Sequence, residues 1–376
     1  FLIDGCRSPI GKGHPEKGIY KNLRADELAV RTLKAFLERT GIDPLRIDDF
    51  FLGCAGQHRE QGKNLARLVL LLAGLPDSIP GVTINRLCAS GLTALQFAAD
   101  SIRSGTNRSV LVGGVEHMGH VPMTAGLDYH QNLFRGYEFP WIDMGLTAEK
   151  LSEEFNITRR EQDAYTLQSN RRYFRARETG FFNREIIPIT LPNGTRISED
   201  QEPRLSTPEI LGQLRPMFKK RGTVTAANSS GVSDGCSIAL VADAKEVEKF
   251  GYDPLAEIKA TVTVGLDPIR MGLGPVPAIR ELLRRTSLTL DDIDLFEINE
   301  AFAVQVLACQ KELGLDSDRL NIHGGAVALG HPLGMSGLRL AVTLAHSLAA
   351  GNHTRGIAAL CVGHGQGVAM LLERDS

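Results

Sequence analysis

Neither sign of charge predominates in this chain: 42 Lys and Arg stand against 44 Asp and Glu, a formal net charge of −2. No global field favours nucleic acid or an anionic membrane as a partner, so an anionic ligand has to be met by local groups. Cysteines are few and dispersed, at 6, 54, 88, 236, 309 and 361, with no CxxC pair. That pattern argues against a zinc site and against a dense disulfide framework, and it suits a reducing, cytoplasmic compartment. Long apolar runs are also missing. The strongest, "LVLLLAGL" at 68 to 75, is far short of the ~20 residues that span a bilayer. The opening "FLIDGCRSPIGKG" lacks the basic segment and apolar stretch of a signal peptide, although a start on Phe1 leaves a removed leader open.

What is present is length and repetition. The 376 residues, 43% hydrophobic, suffice for two or three cores at roughly 150 residues per domain. "LERTGIDPLRIDDF" at 37 to 50 lies against "LRRTSLTLDDIDLF" at 283 to 296, a shift of 246 (283 minus 37). "SGL" at 90 to 92 recurs at 336 to 338, and Gly105 recurs as Gly351, again at 246. Two separated matches at one shift indicate a duplicated α/β half, at roughly 1 to 115 and 252 to 376. Each copy predicts an amphipathic helix, an apolar strand, a strand ending in a turn, a second helix, and a final strand buried on both faces. The expected division is 1–251, with an inserted cap or loop domain at about 116–220, followed by 252–376. Within the insertion, Thr158 and Glu161 form a capping box for a helix that stops at Gly180. Its Arg171, Arg172, Arg175 and Arg177 are expected to be a solvated face.

In "INRLCASG" at 84 to 91, Cys88 falls where an apolar stretch gives way to the helical spacing of Leu92, Leu95, Ala99 and Ile102. The helix dipole there favours a thiolate by up to ~2 kcal/mol, which lowers a thiol from ~8.5 to about 7 at most. On that basis alone Cys88 is either a nucleophile or a small buried hydrophobe. Under the shift of 246, His331, between Gly330 and Pro332, corresponds to Asn85. If the halves pack about a pseudo-twofold axis, His331 faces Cys88 from the matching helix entrance. Cys361 ends the last predicted strand in "CVGHGQG", whose glycines offer the backbone N–H groups of an oxyanion hole. Asn299 and Glu300 follow an apolar strand. Capping accounts for the first, while the second has no such explanation. His117 and His120 have metal-like spacing but no nearby carboxylate or cysteine partner, so no metal is expected.

Together "NRLCASG", "GGVEHMGHVPM", "INEAFA", "GGAVALGHPLGMSG" and "CVGHGQG" resemble the thiolases over essentially the whole chain, most of all the 3-ketoacyl-CoA thiolase subunits of bacterial fatty-acid β-oxidation complexes. The resemblance implies two βαβαβαββ halves stacked as a five-layer αβαβα sandwich with an inserted loop domain. It also implies thiolysis of a 3-ketoacyl-CoA through an acyl-cysteine, with CoA as co-substrate and no tightly bound cofactor. By the same resemblance Cys88 is the nucleophile, His331 its base, and Cys361 the acid that protonates the departing enolate. One oxyanion is held by His331 and a water on Asn299, the other by the N–H groups of Cys88 and Gly363. Met144, Ala226, Ser230 and Phe302 match positions that contact the pantetheine or acyl part. The implied assembly is a homodimer or a tetramer of dimers, with the 65 to 75 helix near the interface and a hydratase/dehydrogenase subunit as a further partner.

Two departures bear on the substrate. Position 364 is His where many thiolases continue a glycine run, and position 143 is Asp where short-chain biosynthetic members have His. Both point away from acetoacetyl-CoA synthesis. A decarboxylating ketoacyl synthase of the same fold is the alternative enzyme, but it lacks a counterpart of Cys361. A non-catalytic assembly subunit is the alternative outside catalysis, and it has no need of two facing thiols.

Overall fold

Two mixed sheets face each other across a pair of central helices. The computed structural model describes residues 1–351 and 353–374. The first sheet runs β1 (Leu2–Arg7), β5 (Ser233–Ala242), β4 (Ser109–His117), β2 (Asp49–Gly53) and β3 (Gly81–Ile84), in that spatial order. The second runs β7 (Leu295–Ile298), β8 (Arg355–Val362), β9 (Gln366–Glu373) and β6 (Glu257–Gly265). In each, the central strand is parallel to one neighbour and antiparallel to the other.

Helices α1 (Ala25–Thr40) and α2 (Leu65–Ala73) cover the outer face of the first sheet, while α6 (Pro275–Thr286) and α7 (Ala303–Leu313) cover that of the second. Between the sheets lie α3 (Ser90–Arg103) and α8 (Leu333–Ala350). This is the expected αβαβα sandwich. Strand residues alternate between its layers: Leu111 joins the outer core and Val110 and Val112 the central one, as Ile357 and Ala359 join the opposite outer core and Ala358 and Leu360 the centre. Burial on both faces is why these strands are apolar throughout.

The shift of 246 is a structural register. Phe50 pairs with Leu111, and Phe296 with Ile357. Asp48 accepts from the Arg108 and Ser109 amides at 2.7 and 2.9 Å, and Asp294 accepts from those of Thr354 and Arg355 at the same distances. The repeated "SGL" marks where the central helices cross. A Cβ on Gly91 would lie 2.6 Å from the Gly334 carbonyl oxygen, and one on Gly337 would lie 2.5 Å from the Leu92 nitrogen. No larger residue fits at either crossing point.

The copies differ in one element. The counterpart of β3 was expected as a strand, yet it survives as a single bridge, Leu320 to Phe296. Asn321 explains the loss. Its backbone turns left-handed at φ +49°, and its side-chain amide accepts from the Ile298 N–H and donates to the Ile298 carbonyl, both at 2.8 Å. One side chain thus replaces the next ladder residue.

Between β4 and β5 the chain adds α4 (Met144–Phe155) and α5 (Arg159–Glu178). Helix α5 begins in the Thr158/Glu161 capping box, with Gly180 at φ +74° just beyond its end. The insertion is tied to β1 by Arg7, which is fully buried between Glu185 and Asp200 at 2.6 Å each. The expectation of a solvated arginine face on α5 needs one correction. Arg172 folds inward to donate to the carbonyls of Leu320 and Ser317 at 2.7 and 2.8 Å, because the tight turn there leaves them without ladder partners.

Candidate active site

Cys88 sits in a one-turn 3-10 segment, Leu87–Ala89, immediately ahead of α3. Leu87 adopts φ +46°, and the Ser90 hydroxyl accepts from the Arg86 N–H and donates to the Leu87 carbonyl at 2.7 Å, stapling the turn. The Gly363 and Cys88 amides both approach the Cys88 sulfur and favour its thiolate. Burial outweighs them, and the thiol is pushed up to about 11 rather than down to neutrality. Desolvation of the sulfur thus reverses the downward shift that the helix start alone predicts.

The second half brings its turns to the same place. Cys361 lies near the end of β8, fully buried, and the field of Cys88 is among the influences that raise its thiol, after desolvation. Burial, followed by the field of Arg339, pushes His331 down to about 3, so its ring is neutral. The ring's tautomer follows from its neighbours. The Ser336 hydroxyl donates to the Pro332 carbonyl at 2.8 Å, which leaves its oxygen to accept from His331 Nδ1 at 2.6 Å. His331 Nε2 is then the free acceptor, and Asn299 Nδ2 approaches it at 3.3 Å. Ser336 and Ser90 are the same repeat position, each fastening its half's reactive turn.

The remaining sequence candidates sort by place. A Cβ on Gly363 would meet Leu87 Cδ1 at 3.1 Å and Met144 Sδ at 3.8 Å, so Met144 borders the cysteine turn. Met144 and Phe302 share an apolar cluster with Cys361. The Ser230 N–H donates to the Ala301 carbonyl at 3.0 Å, and Ser229 bridges Phe302, which joins that loop to the Asn299 segment. Ala226 is exposed and lines a narrow cleft with Asn170, Arg204 and Ser229. Asp143 caps α4, accepting from the Leu146 N–H at 3.1 Å.

Two buried carboxylates brace the site, and neither had been assigned a role. Glu300 accepts from Tyr165, Ser169, Asn321 and the Val327 N–H at 2.8 to 3.0 Å. Glu116 accepts from the amides of Ala55, Gly56 and Gly334 and from Gln61, all at 2.9 Å. It thereby ties the loop after β2 to the first turn of α8. Their signal in the sequence was a lone acid inside or beside an apolar strand. His117 and His120 stack at 3.9 Å, and the expectation that no carboxylate lies near them is corrected: the fold brings Asp234 of β5 to His117 and Glu60 of the loop after β2 to His120. No His, Cys, Asp and Glu cluster of metal-binding form occurs among the described residues.

Known proteins resemble the chain along its whole length. The model of the thiolase N-terminal domain matches residues 1–245 and that of the thiolase C-terminal domain residues 252–374. A β-ketoadipyl-CoA thiolase of Pseudomonas aeruginosa is 44% identical, over 100% of this chain and 98% of its own. A 3-ketoacyl-CoA thiolase of Aeromonas hydrophila is 42% identical, over 99% and 98%. Among solved structures, human mitochondrial 3-ketoacyl-CoA thiolase superposes with a TM-score of 0.91 at 36% identity, covering 100% of this chain and 98% of its own, and it has also been solved in complex with CoA. With both halves matched and more than four positions in ten shared end to end, the chain belongs to the thiolase family of acyltransferases.

Proposed function

We propose that the chain is a 3-ketoacyl-CoA thiolase, cleaving 3-ketoacyl-CoA with CoA to acetyl-CoA and a shortened acyl-CoA in fatty-acid β-oxidation. The observation that carries the reading is the convergence of two thiols from different halves, Cys88 with the Gly363 amide on its sulfur and Cys361 within the field of Cys88; the imidazole at the entrance of α8 is neutral, with Nε2 as its acceptor nitrogen. Cys88 gives its proton to His331 Nε2 as its sulfur bonds to the 3-keto carbon. The bond between carbons 2 and 3 then breaks, its electron pair passing to carbon 2 as the enolate of acetyl-CoA. Cys361 protonates that carbon. The incoming CoA thiol returns a proton to Cys361, its sulfur takes the acyl group, and Cys88 recovers its proton from His331. With both partners neutral at rest, proton transfer belongs to the attack itself.

The Cys88 and Gly363 amides suit the oxyanion on the acyl carbonyl, and His331 with a water on Asn299 suits the enolate oxygen. Met144, Ala226, Ser230 and Phe302 line the approach of the pantetheine. CoA is a co-substrate, and the reading needs no tightly bound cofactor. The working division is 1–251, including the loop domain, and 252–376. All six cysteines are free, in keeping with a cytoplasmic setting. No helix among the described residues is long and apolar enough to cross a membrane. We assign a homodimer, or a tetramer of dimers, with a hydratase/dehydrogenase subunit as a candidate partner.

The test is to incubate the purified chain with 3-ketoacyl-CoAs and CoA and follow loss of the ketoacyl enolate absorbance. Cys88→Ala should abolish the acyl-enzyme. Cys361→Ala should retain exchange of acyl groups but lose carbon–carbon cleavage. No absorbance loss at any chain length would overturn the reading.

A further inference from the structure

Gly363 and His364 are neighbours with different surroundings. The Cα of Gly363 looks toward Leu87 and Met144, whereas the His364 ring lies among aromatics of the 118 to 142 segment. His364 adopts φ +68°, a left-handed conformation that favours glycine and strains a residue with a Cβ. Strain retained beside a reactive turn points to a use for the side chain. Its Nε2 lies 3.2 Å from the Tyr129 hydroxyl, and its ring stands edge-on to Trp141 at 4.8 Å between centroids. Phe134 packs on Trp141 in turn, at 5.3 Å.

These contacts edge a partly open cavity of about 400 Å³. Asn85 and Leu87, just before Cys88, and Leu333, just after His331, form its floor, and Val121, Met123 and Leu127 line the overlying segment. The volume is that of a small-molecule site, and the lining is mixed: aliphatic at Leu87, Val121, Leu127 and Leu333, polar at Gln57, His58 and Glu116, with His364 and Tyr129 completing it. It touches the turns of both halves, and neither Met144 nor Phe302 is among its lining residues.

We propose that this cavity receives the aliphatic tail of the acyl group and that His364, held by Tyr129 and Trp141, is the wall that limits its length. This rests on the thiolase reading for the identity of the substrate. His364→Gly suits the backbone conformation, so the variant is expected to fold, while it removes the wall and the anchor of the roof.

The experiment compares kcat/KM for 3-ketodecanoyl-CoA and acetoacetyl-CoA in the parent, His364→Gly and Tyr129→Phe proteins. The ratio of long to short substrate should rise at least about tenfold in His364→Gly, the discrimination that one additional accommodated methylene gives, and less in Tyr129→Phe. An unchanged or lower ratio in His364→Gly overturns the proposal. A second readout does not need turnover. Decanoyl-CoA, which has no 3-keto group, should shift the emission of Trp141, the chain's single tryptophan, whereas acetyl-CoA should not. Equal responses to the two ligands, or none to either, overturn the tail site. A parent that cleaves nothing yet gives the decanoyl-specific shift would instead overturn the thiolase reading and leave the tail site standing.

Discussion

A thiol raised to about 11 and an imidazole lowered to about 3 cannot form a resting ion pair at neutral pH. The cause in both is the same desolvation that removes water from the site. Below its pKa the thiolate fraction of Cys88 grows tenfold per pH unit, so alkylation of the free enzyme by iodoacetamide should rise about tenfold per unit from pH 7 to pH 10. Peptide mass spectrometry of the Cys88 modification rate checks this, and a plateau near pH 7 to 8 would show a preformed thiolate instead. Cys88, His331 and Cys361 were legible as positions because they end predicted strands or begin predicted helices. Ser336 was not, since its contribution lies in fixing a tautomer through two short hydrogen bonds. Glu300 was visible as an anomaly, yet its four donors come from distant segments that no spacing rule joins. The sign of the Cys88 shift escaped for a related reason: a dipole can be read from a helix start, whereas burial depends on what the rest of the chain places over it.

At the scale of elements, duplication is the organising fact, and a constant shift made it readable. Identical paired positions in β2/β4 and β7/β8, and identical caps at Asp48 and Asp294, are what preserve that shift. Its failure at the missing fifth strand has a local cause, because an asparagine side chain supplies the pairing that a strand residue would have made. The repeated glycines acquire their meaning only in three dimensions, at the crossing of α3 and α8. Gly337→Ala would press a methyl to 2.5 Å from the Leu92 nitrogen, where backbone has to move. The expected loss is about 1–3 kcal/mol, as for overpacking in a filled core. Gly212→Ala, where an added Cβ meets nothing within 4 Å, serves as the comparison and should fall within about 0.5 kcal/mol of the parent. Denaturant unfolding of the two variants decides the point, and equal midpoints would mean that the central crossing is looser than the contacts indicate.

At the scale of the whole molecule, one side of the first sheet is unfinished. Among the described residues no strand pairs with the outer edge of β3, and Val82 upon it is exposed. Beside it α2 presents Leu68, Leu71 and Leu72 outward, and α3 adds Phe97, all more than 40% exposed. An open strand edge flanked by apolar side chains is a surface that a stable monomer would have blunted with charge or covered. The net charge of −2 offers little long-range repulsion between copies. A twofold axis beside β3 would pair two such edges and bury the leucines of both α2 helices. A stable interface of this kind needs about 1,200–2,000 Å² in total, and the exposed apolar residues of α2, β3 and α3 are the groups available to build it. Leu68→Glu with Leu72→Glu places two carboxylates per subunit in that contact while leaving the buried face of α2, Leu65, Val69 and Leu70, untouched. Sedimentation equilibrium at micromolar concentration should show the parent at twice the 40.9 kDa chain mass or a higher multiple, and the double variant at the mass of a single chain with an unchanged circular dichroism spectrum. A parent that sediments as a monomer, or a variant that remains associated, would place the interface elsewhere.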